Sequence, residues 1–327
     1  MKLIIQIPCF NEEKTLPLTL REIPKIYKGV DEVEILIVDD GSTDKTVEVA
    51  RQGGADHIVR LTNHKGLAEG FMAGIDASLR LGADIIVNTD GDNQYRGEDI
   101  ERLIAPVLAG EADIVIGDRN VNKIRHFSFV KKRLQSLGSW VVRHLSETDI
   151  PDVTSGFRAF SREAALRLNI ISKYTYTLET IIQAGKKNIA LSHVPIRTNE
   201  QLRPSRLFSS VASYIRRSVL TIVRIYTLYE PLKIFFYIGG SIFGVGFLIS
   251  IRFLFYYFLQ KGTGHIQSLI LSAVLMIVGF QIVMIGLLAD IISANRRLIE
   301  DCLFRIKKME MNSTQHKSSQ KPNVGKK

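Results

Sequence analysis

Cysteine and tryptophan are almost missing from this sequence. Of 327 residues, two are cysteines, Cys9 and Cys302, and one is a tryptophan, Trp140. The cysteines lie far apart and outside any metal-ligand spacing, which excludes a disulfide framework and a zinc site. A reducing, cytosolic setting for the folded part follows. Phosphate-cradling signatures are missing too. No G-x-G-x-x-G opens a helix after the first apolar run and no G-x-x-x-x-G-K-[ST] occurs, so neither a dinucleotide-binding fold nor a P-loop is supported. The opening "MKLIIQIPCF" is broken by Gln6 and Pro8, too soon for a secretory signal, and reads as a first strand.

What is abundant is apolar: 46% of the residues are hydrophobic, against a formal net charge of +10. Two runs, 232–259 and 268–292, are long enough to cross a hydrocarbon core, which takes about 20 helical residues. The short linker "QKGTGHIQ" between them predicts a transmembrane hairpin with both ends on one side. Basic residues set the orientation: Arg216, Arg217, Arg224 and Lys233 stand near the start of the first run, Arg296, Arg297, Arg305, Lys307 and Lys308 follow the second, and the linker offers only Lys261. The sequence thus predicts an integral membrane protein whose N-terminal domain faces the cytosol. Attraction to anionic headgroups accounts for much of the positive charge without nucleic acid as a partner. Arg252, near the far end of the first run, is expected to snorkel to the interface. Gly240 and Gly244 form a small-xxx-small step that leaves a homo-oligomer open. Segment 207–231 alternates apolar and basic faces, as interfacial helices do, and 293–327 reads as a basic cytosolic tail, disordered from about Met311.

Residues 1–206 read as an α/β domain with a mainly parallel sheet. "KLIIQI", "VEILIVD", "HIVRL", "DIIVNTD" and "DIVIG" are strand-like, and helical periodicity begins near Glu12, Thr43, Gly66 and Glu98. Ligands of such sheets bind beyond the carboxyl ends of the strands. Four polar clusters fall there: "PCFNEE", "DDGSTDKT", "DGDNQ" and "GDR". In the second, Gly41 makes a tight turn and Ser42 and Thr43 are candidate helix caps. A bland account of Asp39 and Asp40 has one capping a helix and the other in solvent. In the third, Asp90 and Asp92 raise each other's cost of ionisation unless a cation sits between them. Two such carboxylates can hold Mg²⁺ or Mn²⁺ and leave coordination positions for a diphosphate. Gly91 would let a ligand approach the backbone. His64 and His193 read as structural or solvated residues near turns.

In combination, "IIQIPCFNEEKTL", "VEILIVDDGSTDKT", "NHKGLAEGFMAGI", "NTDGDNQY", "GDR" and "DVTSGFRAFSREAA" resemble the family 2 glycosyltransferases of the GT-A fold, over roughly residues 2–205. The resemblance implies a nucleotide-sugar donor, with Pro8, Glu12, Asp39, Asp90 and Gly91 at the nucleotide. It assigns Asp90, Asp92 and Gln94 to the metal and diphosphate. Processive polysaccharide synthases carry Q-x-x-R-W, which this chain lacks, since Trp140 stands in "LGSW". The chain is more similar to enzymes that glycosylate dolichyl or undecaprenyl phosphate, one group of which ends in a transmembrane pair. The implied product is a polyprenyl-phosphate sugar, formed with inversion at the cytosolic leaflet from a GDP-mannose or UDP-glucose type of donor.

A lipid phosphate fits the residues present. A sugar hydroxyl needs a general base, whereas a phosphate monoester with a second pKa of about 6 arrives ionised and needs cations. Arg119, Lys132, Ser136, Arg203 and Arg206 are the candidates for that acceptor phosphate, Arg119 also being counted among the catalytic residues with Asp90, Asp92 and Gln94. Where the resembled enzymes commonly have arginine, this sequence has Lys132 with Arg133 beside it. The rival readings are transfer to a different lipid hydroxyl, which would call for an extra carboxylate base, and a silent membrane-tethered nucleotide-sugar sensor.

Overall fold

The computed structural model describes residues 1–119, 146–171, 176–200, 226–259 and 266–319, together with Trp140, Val142, Arg143, Arg216, Val219, Leu220, Val223 and Arg224. The chain divides into two compact units, 1–222 with 303–327, and 223–302.

In the first unit the apolar runs form strands β1 (Lys2–Cys9), β2 (Glu32–Asp39), β3 (His57–Arg60), β4 (Ile85–Asn88) and β5 (Ile114–Asp118). Two further strands, β6 (Arg158–Ser161) and β7 (Leu191–Pro195), complete a seven-stranded sheet in the order β3-β2-β1-β4-β6-β5-β7. Only β6 runs antiparallel to its neighbours, β4 and β5; every other pairing is parallel. The near-continuous Ile, Leu and Val of β1 and β2 are those of strands covered on both faces. Helices α1 (Leu16–Glu22), α2 (Thr46–Gln52), α3 (Leu67–Arg80) and α4 (Ile100–Leu108) follow the first four strands, as a doubly wound sheet requires. Helix α5 (Arg162–Arg167) continues from β6, and α6 (Thr177–Lys186) is buried through most of its length. Neither β6 nor β7 is among the strands that the sequence predicts. His193 accordingly lies in an edge strand, exposed, and not beside a turn.

Antiparallel β6 matters for the site. Its register pairs Arg158 with Asn88 of β4 and Ile116 of β5, so the loop leading into β6 opens at the same sheet edge as the carboxyl ends of the parallel strands.

The second unit holds two helices long and apolar enough to cross a membrane, α7 (Pro231–Leu259) and the first part of α8 (Ile266–Ser319). At 1.5 Å per residue, α7 is about 44 Å long, against about 30 Å of hydrocarbon. Glycines bring the pair together. A Cβ on Gly279 would lie 2.6 Å from the Phe243 nitrogen, and one on Gly239 would lie 2.7 Å from the Gly279 oxygen. Ser272 Oγ donates to the Gly246 oxygen at 2.8 Å. Gly240 and Gly244 have no atom within 4 Å of their Cβ positions, so the small-xxx-small step takes no part in this packing. Arg252 is exposed, its guanidinium 5.6 Å from the Tyr256 ring centroid.

Helix α8 runs on well past the end of the apolar run at 292. Its last part, from Leu303, belongs to the first unit. There Glu310 accepts from Arg80 at 2.9 Å, Lys307 donates to Asn169 Oδ1 at 3.1 Å, Arg167 lies 4.6 Å from the Phe304 ring centroid, and Met311 is buried. Where disorder was expected from about Met311, helix continues through Ser319. Residues 320–327 lie outside the described residues.

Candidate active site

The loops after β1 and β2 are tied to each other by side chains. Asn11, at φ 56°, donates its amide to Ser42 Oγ at 2.9 Å, and its Oδ1 accepts from the Thr43 amide at 2.9 Å. The Glu12 amide donates to Thr46 Oγ1 at 2.8 Å, and Glu12 Oε2 accepts from Thr15 at 2.7 Å. Ser42 and Thr43, expected as caps, serve this cross-link instead. Lys45 stands at the N-cap of α2 without a side-chain cap, and Asp44 before it accepts from the Thr46 amide at 3.0 Å.

Neither Asp39 nor Asp40 is in solvent. Asp40 receives the Lys65 and Gly66 amides at 2.7 and 2.8 Å and lies 2.8 Å from His64 Nδ1, so it shapes the entry to α3. Gly41, at φ +73°, is packed so closely that a Cβ would sit 2.7 Å from the Asn63 carbonyl carbon. His64 stacks on Phe10 with centroids 3.9 Å apart, a structural role. Asp39 is fully buried, and its Oδ1 accepts from the Ser42 amide at 3.1 Å. Arg60 Nε lies 3.2 Å from Oδ2 without hydrogen-bond alignment, leaving that buried oxygen without a donor. An oxygen in this state suits a ligand that brings its own hydroxyl or N–H.

Beneath Asp90 lies a chain of buried amides and phenols. Gln6 Nε2 donates to Asn88 Oδ1 at 2.9 Å, and Asn88 Nδ2 donates to the Gly156 oxygen and to Tyr176 Oη, both at 2.9 Å. The Gly156 amide donates to Tyr95 Oη at 3.0 Å. Burial pushes the Tyr95 phenol up to about 12 and raises that of Tyr176 well above its ordinary value, so both stay neutral hydrogen-bonding groups. Gly156 is required here: a Cβ would lie 3.0 Å from Tyr176 Oη and 3.1 and 3.2 Å from the Asp90 carboxylate oxygens. Gly91 also has a packing role. A Cβ there would meet Cys9 Sγ at 3.0 Å and Glu12 Cγ at 3.5 Å, so the glycine lets the β4 loop pack on the β1 loop. Pro8 is the last residue but one of β1, in register with Val38, one step before Asp39.

Asp90 and Asp92 are half-buried. Asp92 Oδ1 accepts from the Gln94 amide at 3.2 Å. Asn93 bends this loop in the left-handed region at φ 59°, and its Nδ2 donates to Glu22 Oε1 at 3.1 Å. Among the described residues no group of three or more His, Cys, Asp or Glu side chains could enclose a metal alone. The half-buried carboxylates of Asp90 and Asp92 are oxygen donors of the kind that fit a Mg²⁺-type ion, which binds through one or two carboxylates plus substrate phosphates and water.

Arg119 has protein partners on two of its guanidinium nitrogens. Its Nε and Nη2 fork onto Asp152 at 2.7 and 2.9 Å, and Nη2 also donates to Thr154 Oγ1 at 2.7 Å. Burial would raise the Asp152 carboxyl, but the charge and hydrogen bonds of Arg119 outweigh it and hold the group below its usual range. Most of the guanidinium that was expected to meet a phosphate therefore neutralises a buried carboxylate. Behind this pair, Arg158 is fully buried, donating to the oxygens of Ser155 and Val153 at 2.8 and 2.9 Å and to Thr180 Oγ1. Burial lowers its pKa to about 10, so it is charged at neutral pH. Its bonds shape the loop that carries Asp152 and Gly156. Sequence reasoning gave no role to Asp152, Gly156 or Arg158, although all three stand in "DVTSGFR". Lys132, Ser136, Arg203 and Arg206 lie outside the described residues, as does Arg133.

The chain's residues 4–168 match the model of glycosyl transferase family 2, and residues 230–294 match the GtrB C-terminal hairpin. The polyprenol monophosphomannose synthase of Mycolicibacterium smegmatis is 30% identical over 219 residues, covering 63% of this chain and 81% of that one. A UDP-N-acetylglucosamine–dolichyl-phosphate N-acetylglucosaminyltransferase of Methanococcus voltae is 28% identical over 217 residues, 59% of this chain and 83% of that one. Among solved structures, glucosyl-3-phosphoglycerate synthase of Mycobacterium tuberculosis in complex with Mn²⁺, uridine diphosphate and phosphoglyceric acid superposes with a TM-score of 0.54 at 20% identity, over 68% of this chain and 78% of that one. This last likeness is one of fold, and identifies the sheet and its crevice as GT-A. With a family match spanning half of its length and a hairpin match following it, the chain belongs to glycosyl transferase family 2.

Proposed function

We propose that this protein transfers a sugar from a nucleoside-diphosphate donor to a polyprenyl phosphate, with inversion, at the cytosolic leaflet. The observation that carries the reading is the combination, in one chain, of a crevice where Glu12, Asp39, Asp90 and Asp92 gather at strand ends with a hairpin of two membrane-length helices. Relatives named for polyprenol- and dolichyl-phosphate acceptors support the acceptor class, and differ among themselves in the sugar.

Asp39, with its donor-less buried oxygen, and Glu12 would hold the nucleoside, and Pro8 would border it. Asp90, Asp92 and Gln94 would hold Mg²⁺ or Mn²⁺ beside the diphosphate. Such a cation, when bound, offsets charge on the departing nucleoside diphosphate. A lipid phosphate oxygen forms the new bond to the anomeric carbon as the bond to the diphosphate breaks. The acceptor arrives ionised, so the protein's contribution is orientation and fixed charge. Lys132, Ser136, Arg203 and Arg206 remain the proposed acceptor-phosphate ligands. Arg119 would act there indirectly, by fixing the Asp152–Gly156 loop beside Asp90. The basic residues flanking the hairpin favour a cytosolic catalytic unit and a cytosolic chain end beyond α8.

The test is transfer from UDP- and GDP-sugars to a short-chain prenyl phosphate by the purified full-length protein. Activity is expected with Mg²⁺ or Mn²⁺, and should vanish with a chelator and fall sharply in Asp92→Asn. Full activity under chelation or in Asp92→Asn would refute the assignment of the paired carboxylates.

A further inference from the structure

Three consecutive residues beyond β7 are fastened to the loop that carries the paired carboxylates. The Arg197 amide donates to Asp99 Oδ2 at 2.7 Å, and the Arg197 guanidinium reaches Asp99 Oδ1 at 3.0 Å. Thr198 forms a β-bridge with Tyr95. Asn199 makes the densest set of bonds. Its amide donates to the Gln94 oxygen at 2.9 Å, Nδ2 donates to the Asn93 oxygen at 3.1 Å and to Glu22 Oε2 at 2.9 Å, and Oδ1 accepts from Arg96 Nε at 3.2 Å. Only one orientation of the carboxamide satisfies this set, because Nδ2 faces two acceptors and Oδ1 faces a guanidinium.

The loop so held is one that needs holding. Asn93 occupies the sparsely populated left-handed region, and its immediate neighbours are Asp92 and Gln94. Glu22 completes the arrangement from α1, accepting from Asn93 with one carboxylate oxygen and from Asn199 with the other. Asn93, Glu22 and Asn199 thus form a closed polar triangle at the base of the carboxylate turn. Asn199 is also the last residue but one before the stretch containing Arg203 and Arg206.

We propose that Asn199 is a positioning residue of the donor site: through Gln94, Asn93 and Glu22 it holds the turn at 92–94 in the shape that presents Asp92 to a diphosphate-bound cation. This rests on the reading of Asp90 and Asp92 given above. It adds a residue that touches no substrate and is separated by 106 positions from the backbone oxygen it secures.

The experiment uses full-length protein in lipid nanodiscs, with two readouts besides activity. The first is amide hydrogen exchange over 90–96 without ligand. The second is calorimetric binding of uridine diphosphate and guanosine diphosphate, each with Mn²⁺. Asn199→Ala is expected to speed exchange over 92–95 and weaken diphosphate binding, each by about tenfold, with little change in the melting temperature. Asn199→Asp should be worse, since it sets a carboxylate against Glu22. Combining it with Glu22→Gln should recover part of the loss in both readouts, because that donor and acceptor exchange sides while the bond to the Asn93 oxygen stays lost. Arg96→Ala, which removes one bond of the set, should shift both in the same direction by less. The proposal is overturned if Asn199→Ala changes exchange only at 197–199, or if adding Glu22→Gln gives Asn199→Asp no recovery at all. Should the unaltered protein bind neither nucleotide, the donor-site reading fails, while the exchange results still decide whether Asn199 sets the turn.

Discussion

Arg119 shows how a single side chain changes meaning once its partner is known. At the end of β5 it is an arginine beside a crevice, and a phosphate is its natural ligand. With Asp152 in place it is half of a buried ion pair, and the pair's value lies in what removing one member would do. Arg119→Ala leaves Asp152, 1% exposed, without its counter-charge, at a cost of about 3–5 kcal/mol. The melting temperature should fall by on the order of 10 °C, since each kcal/mol is worth roughly 2–4 °C in a domain of this size. Asp152→Asn together with Arg119→Gln should recover much of the loss. The pH dependence has a definite sign. Asp152 is held below its ordinary pKa, so its stabilisation is complete above about pH 4, the unfolded value, and is lost as pH falls through the lower native value. The gap in stability between the unaltered protein and Arg119→Ala should therefore close in acid. A variant that melts normally but transfers no sugar would show instead that the guanidinium serves a ligand.

Among the elements, the two apolar helices allow a contrast within one hairpin. Gly279→Val places a side chain where the Phe243 nitrogen already lies 2.6 Å away, and overpacking of this kind costs about 1–3 kcal/mol. Gly240→Val meets nothing within 4 Å and should be neutral to within about 0.5 kcal/mol. Thermal unfolding in one detergent decides the matter, and equal effects at both positions would contradict the packing described. These helices were legible in the sequence because length and hydropathy suffice to mark them. So were β1, β2, β4 and β5, whose runs of Ile, Leu and Val carry the pattern of doubly covered strands. Strand β6 was not. "RAFS" contains a buried arginine and four residues in all, and its strand character comes from pairing with β4 on one side and β5 on the other. Asp39, Asp90 and Asp92 could be found because they stand at the ends of recognisable strands. Asp152 and Asn199 could not, since each acts through a partner 33 or more positions away, in a contact that no local periodicity records.

At the scale of the whole molecule, the chain leaves its catalytic unit at 223 for two helices of membrane length and rejoins it at Leu303, where Glu310 and Lys307 find partners on α3 and beside α5. A glycosyltransferase built this way combines a donor crevice of polar residues with an element whose natural surroundings are hydrocarbon. On the function proposed above, the acceptor has an apolar tail and an ionised head, and the catalytic residues would supply it with orientation and charge, not a base. That is the central claim, and it separates a polyprenyl phosphate from any lipid alcohol. The most direct measurement compares farnesyl phosphate with farnesol as acceptors for the purified full-length protein, with UDP- and GDP-sugars and Mn²⁺. Transfer to the phosphate alone, stopped by a chelator, is the predicted result; transfer to farnesol at a comparable rate, or none to the phosphate with any donor, would contradict it.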